Sequence, residues 1–166
     1  ARRHRLAVAD LEHAAEEVEH VGKRLQPHHG HVLAEFLGGD QQGFQAAFRL
    51  LASRGTSAAA LCSQINQFVI ENAGQENFIT FFYGILDADT NIFSYTNAGH
   101  SRPILVRTQH PTIELSAGGF PLGVASEFSY EEGKVHLVPG DLLVMYTDGV
   151  VELRGGSEEM FGLQRL

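Results

Sequence analysis

The sequence predicts an α+β layered fold, on three observations. Helical periodicity is confined to the first 75 or so positions, the pattern turns to β beyond Glu76, and the later runs are short and closely spaced, as antiparallel strands are. At 166 residues the chain is one domain of ordinary size, long enough to bury a real core.

From Leu6 to about Gln26, Leu11, Ala14, Val18, Val21 and Leu25 recur three and four apart, while Glu12, Glu16, Glu17, Glu19 and Lys23 take the other faces. This is a coiled-coil-like seam of about three heptads. It fits a helical linker, residues 1–27, with a possible homodimer through it, and packing on the domain's own core competes. Pro27 ends the helix, because the residue before a proline is pushed out of the helical region. The domain proper is expected over 28–166. His28-His29-Gly30-His31 invites a metal reading, but adjacent histidines on one short segment rarely converge on one ion, and the segment reads as surface loop.

Two amphipathic helices follow. Phe44, Ala47, Phe48 and Leu51 share a face of the first, which Gly55 ends. The second starts on a Thr56 or Ser57 cap, carries Leu61, Ile65, Phe68 and Val69, and stops at Asn72-Ala73-Gly74. Cys62, the single cysteine, sits in that apolar pattern as a core residue; one thiol excludes an internal disulfide.

Strands are predicted at 78–86, 92–96, 103–107, 112–116, 134–138 and 141–147. Asp87-Ala-Asp-Thr-Asn91 is a tight hairpin turn, and its two aspartates serve the backbone rather than a metal. Gly118-Gly119-Phe120-Pro121-Leu122-Gly123 lacks the lysine and the following helix of a phosphate-cradling loop, so it reads as a structural turn.

Two places carry chemistry. Asp148 ends an apolar run, Leu142 to Tyr146, and is followed by glycine; it reads either as a ligand or as a cap for the next turn. Asn97-Ala98-Gly99-His100 turns through glycine at a strand end. Its amide and imidazole either orient a phosphate or a metal-bound water, or hold the loop.

The net charge of -8 argues against nucleic acid or an anionic membrane as main partner, and an acidic surface suits divalent cations. No run approaches the roughly 18 apolar residues of a membrane span, and Ala1-Arg-Arg-His-Arg-Leu has no apolar signal core behind it. A cytoplasmic protein is expected.

In order, Phe78 to Asp87, Tyr95-Thr-Asn-Ala-Gly-His100 with Pro103, Gly119-Phe-Pro-Leu-Gly-Val124, Pro139-Gly-Asp141, Tyr146-Thr-Asp-Gly149 and Phe161-Gly162 resemble the bacterial SpoIIE/RsbU-like branch of the metal-dependent PP2C (PPM) serine/threonine phosphatases. The resemblance implies an α-β-β-α sandwich of mainly antiparallel sheets flanked by helices, and two Mn²⁺ or Mg²⁺ ions held by aspartates. It implies Asp40, in Gly38-Gly39-Asp40, and Asp148 as metal ligands, with Asn97 and His100 in supporting or phosphate-orienting places. Water activated by the ions, and no protein nucleophile, would attack phosphoserine or phosphothreonine on a regulator of the anti-sigma-factor-antagonist type. An upstream sensor or receiver domain would precede the amino-terminal helix.

Two departures stand out. The family runs from Gly-Gly-Asp through a hairpin to a second motif, roughly Asp-Val-Ser-Gly-His-Gly, ahead of the helix that here reads Gly43-Phe-Gln-Ala-Ala47; here Asp40 is followed at once by Gln41-Gln42-Gly43. The sequence also stops at Leu166, ahead of the family's last metal aspartate. A junction of stretches that the whole protein separates, a truncation, and a pseudophosphatase that regulates by binding a partner protein each account for this. The first is expected, because losing a central hairpin would strand polar backbone edges.

Overall fold

A computed structural model describes residues 31–37, 41–52, 55–72, 78–108, 110–152, 160 and 162. The helix expected over 6–26, the boundary at 27/28, His28 to Gly30, Asp40 and its junction with Gln41 lie outside the described residues. In chain order the elements are β1 (His31–Leu37), α1 (Gln41–Ala52), α2 (Ala58–Asn72), β2 (Thr80–Asp87), β3 (Ile92–Ala98), β4 (Ile104–Val106), β5 (Ile113–Glu114), β6 (Gly118–Gly119), β7 (Gly133–His136), β8 (Leu142–Val144) and α3 (Asp148–Val151). Two successive helices and then a run of strands, after β1, make the α+β class plain.

The chain divides into two compact units, each with its own sheet. In the larger, which holds the described residues up to His100 together with Leu115–Val138, the sheet order is β1-β2-β3-β6, and β7 also pairs with β3. All its ladders are antiparallel except β3 with β6. β1 corrects the sequence reading: His31, expected in a loop, opens a seven-residue strand. The apolar run Val32-Leu33-Ala34 carried that signal, and full register against β2 realises it.

Period-two geometry sends alternate residues of β2 to opposite faces. Phe81 and Tyr83 join Phe44 and Phe48 of α1 and Leu61, Cys62, Ile65 and Val69 of α2 in one buried cluster. Phe44 and Phe48 meet Phe81 edge-on at 5.3 and 5.8 Å between ring centroids, a favoured aromatic geometry. Phe82 instead lies with Phe93 and Tyr95 on the other face. Gly84 is required beside this second cluster, since a Cβ there would run into the Phe93 ring.

The hairpin turn is as the sequence predicts. Asp87 Oδ1 accepts from the backbone N–H groups of Asp89 at 2.9 Å and Thr90 at 3.3 Å, and Asn91 takes the left-handed conformation. α2 also starts as expected, with Ser57 Oγ accepting from Ala60 N–H at 3.2 Å. A second cap was not legible: Glu132, 74 positions later, accepts from Ala58 N–H at 2.8 Å.

The smaller unit comprises Ser101–Glu114 and the described residues from Pro139 on. Its sheet runs β5-β4-β8, antiparallel throughout. β8 is shorter than the predicted 141–147. Val144 pairs with Ile104, so the next rung would need Pro103, which has no N–H to give.

Candidate functional site

In the larger unit the end of β3 is closed by its own side chain. Asn97 Oδ1 accepts from the His100 N–H at 2.7 Å, and Asn97 Nδ2 donates to the His100 carbonyl at 2.9 Å. Both ends of the amide are thus spent on one residue's backbone, and Asn97 shapes the turn from within; it is 4 % exposed. Gly99 makes the turn possible with φ 72°, a value that L side chains rarely adopt, and with the Pro121 ring set against it where a Cβ would stand. His100 is buried, and its Nδ1 lies 3.3 Å from Thr80 Oγ1 on β2.

The glycine-rich segment forms the neighbouring wall. Leu122 and Ile79 exchange backbone hydrogen bonds at 2.9 Å in both directions, and Asn97 N–H donates to the Ala117 carbonyl at 2.9 Å. From α2, buried Asn66 reaches the same segment: Nδ2 donates to the Ala125 carbonyl at 2.8 Å, and Oδ1 accepts from Gly123 N–H at 2.8 Å and from Tyr130 Oη at 3.4 Å. The segment is structural, as the sequence implies, and Gly118-Gly119 adds a short parallel pairing with β3.

In the smaller unit, β8 leads through Met145, Tyr146 and Thr147 to Asp148, the first residue of the helical turn α3. Asp148 is exposed, and its Oδ1 accepts from Ser101 Oγ at 2.9 Å. Beside it, burial pushes the Tyr146 phenol above its usual range; the Glu114 and Asp148 carboxylates add to the rise and Arg102 opposes it. Arg107 Nε meets Asp141 Oδ2 at 3.3 Å, which ties the Pro139-Gly140-Asp141 turn to the strand after Pro103. The Arg102–Glu114 pair at 3.4 Å is exposed on both sides, where such pairs contribute little.

Asn97 and His100 therefore come together in one unit, Asp148 meets Ser101 in the other, and Asp40 lies outside the described residues. Among the described residues no three His, Cys, Asp or Glu side chains gather where one ion could bind. Asp148 by itself fits a hydrated Mg²⁺ or Mn²⁺, which takes one or two carboxylates and fills its remaining positions with water and phosphate oxygens. Thr80, Ser101 and Asn66 went unnoticed in the sequence. Ser101 follows His100 directly, and Asn66 is a polar residue on an apolar helical face, a placement that asks for buried partners.

The chain is similar to known proteins. The family model described as stage II sporulation protein E (SpoIIE) matches residues 43–166. Phosphoserine phosphatase RsbU of Bacillus subtilis is 32% identical over 119 residues, covering 70% of this chain and 36% of RsbU. Protein IcfG of Synechocystis is 31% identical over 96 residues, 58% of this chain and 15% of IcfG. The chain thus spans well under half of these relatives. The crystal structure of the RsbU and RsbW domains of a Mycobacterium tuberculosis protein aligns with a TM-score of 0.69 at 25% identity, covering 90% of this chain and 44% of that one. The SiaA-PP2C domain of Pseudomonas aeruginosa aligns with a TM-score of 0.74 at 16% identity, over 89% of this chain and 62% of that one, a likeness of fold. The chain belongs to the SpoIIE family and has the PP2C-type fold of the RsbU-like and SpoIIE phosphatase domains.

Proposed function

We propose that the domain is a metal-dependent phosphoprotein serine/threonine phosphatase acting on a phosphorylated regulatory protein of the anti-sigma-factor-antagonist type in bacterial signalling. The observation that carries this reading is the exposed Asp148 carboxylate, oriented by Ser101, within a chain whose SpoIIE match spans residues 43–166.

Asp40 and Asp148 are the proposed ligands of Mn²⁺ or Mg²⁺. When bound, two divalent ions supply an activated water and neutralise phosphoryl charge. The protein's own part is orientation. Ser101 fixes the rotation of Asp148, as an outer-shell hydroxyl does for a ligating carboxylate. Asn97 fixes the turn, and with it the ring of His100 beside Thr80.

The proposed setting is cytoplasmic, below an upstream sensor or receiver domain, with pairing through the helix predicted over 6–26. The net charge of -8 disfavours nucleic acid, and among the described residues no helix is long and apolar enough to cross a membrane.

The test is Mn²⁺-dependent hydrolysis of p-nitrophenyl phosphate and of a phosphoserine protein by the full-length protein. Turnover is expected, and Asp148→Asn is expected to remove it. Absence of turnover at saturating Mn²⁺ would replace this reading with a pseudophosphatase that regulates by binding a partner.

A further inference from the structure

We infer that Asn66 is a positioning residue, coupling α2 to the Asn97–His100 turn through the loop 121–125. The inference rests on the phosphatase reading only in taking that turn to serve the active site.

Asn66 is 2 % exposed on a helix face otherwise made of Leu61, Cys62, Ile65 and Val69. A buried amide there costs free energy unless its partners are fixed. It has three, all on one segment: the Ala125 carbonyl, the Gly123 N–H and the Tyr130 hydroxyl. The loop so gripped is held to the sheet by the two Leu122–Ile79 hydrogen bonds. One residue before Leu122, Pro121 lies against Gly99, inside the turn that Asn97 closes on His100.

Each link is a direct contact in one compact unit. The chain α2, Asn66, loop 121–125, Pro121, Gly99, His100 is therefore a contiguous physical path. Gly99 leaves no slack in it, because the proline ring already occupies the space beside its Cα. A shift of α2 carries Asn66 with it, Asn66 carries Gly123 and Ala125, and Pro121 transmits the shift to the turn. Glu132, capping the first turn of α2 from beyond the same loop, makes helix and loop move together at a second point. The Asn97–His100 turn is set by the position of Asn66 on α2, through contacts that touch none of the acidic residues.

The test combines amide hydrogen exchange with steady-state kinetics of Mn²⁺-dependent p-nitrophenyl phosphate hydrolysis on the full chain. Asn66→Ala is expected to speed exchange about tenfold at Gly123 and also at His100, leaving the middle of the β2–β3 ladder protected. It is expected to lower kcat about tenfold with KM within about twofold, since orientation and not binding is lost. Pro121→Ala breaks the path at its second link, so exchange rises at His100 while Gly123 keeps its protection. Gln67→Ala, on the exposed side of α2, is expected to alter neither. The inference is overturned if Asn66→Ala frees Gly123 and leaves His100 as in the wild type, or if exchange rises evenly over the unit, the sign of a merely structural asparagine. A wild-type protein with no turnover would defeat the phosphatase reading alone, because the exchange of Gly123 and His100 still decides the coupling.

Discussion

Ser101 Oγ donates to Asp148 Oδ1 at 2.9 Å across 47 positions of chain, so the residue that follows the β3 turn holds the carboxylate that follows β8. A single hydroxyl thereby selects one orientation for a side chain that is otherwise exposed.

Removing that hydroxyl is expected to be felt in metal binding more than in folding. Ser101→Ala should weaken Mn²⁺ binding about tenfold, the lower end of what outer-shell partners contribute. Its unfolding free energy in urea should stay within about 0.5 kcal/mol of wild type, as for other surface substitutions. Titration of Mn²⁺ by electron paramagnetic resonance reads the first quantity, and an unchanged affinity would remove Ser101 from the site.

Asn97→Ala leaves the N–H and the carbonyl of His100 without their partner in a buried place. A loss of about 1–3 kcal/mol in unfolding free energy is expected, measured by urea denaturation. A variant as stable as the wild type would show that water satisfies both groups and that the clamp is dispensable.

Gly84→Ala drives a methyl group into the Phe93 ring. Overpacking of this kind costs about 1–3 kcal/mol, and Phe93→Leu should recover part of it, because the two changes share one space. Strictly additive losses in the double-mutant cycle would contradict the contact.

Alkaline stability follows from the buried phenols. Burial pushes Tyr83 up to about 12 from 10.0, with Cys62 adding to the rise, and Tyr130 is raised for the same two reasons. The folded chain therefore holds these protons more tightly than the unfolded one. The phenols' contribution to stability is intact below about pH 10 and falls as pH rises from there through the folded values, and the buried Cys62 thiol, raised from 9.0, begins its own decline lower. Urea midpoints between pH 9 and pH 12 should show the decline, and Tyr83→Phe should flatten it; a variant with the wild-type slope would assign the decline to other groups.

The change of period near Glu76, the core faces of α1 and α2, and the Asp87 turn were legible because each is decided within a few residues. Strand ends were less so, since the length of β8 depends on Pro103 in its partner strand, and no local pattern shows that. β1 was hidden behind a histidine-rich approach that reads as loop. At the site, Asp148, Asn97 and His100 announced themselves as polar residues at the ends of apolar strands. Their supporting residues did not: Ser101, Thr80 and Asn66 acquire a role only from what folding brings to them, at separations of 47, 20 and 57–64 positions.

The grip of α2 on distant chain has a consequence for biosynthesis. Its cap, Glu132, and its buried amide's partners, Gly123, Ala125 and Tyr130, are all translated 57–74 residues after the helical groups they satisfy. On the ribosome Phe44 and Phe48 of α1 are available to the apolar face of α2 at once, but its first-turn cap and its buried amide wait for their partners until Glu132 has cleared the exit tunnel.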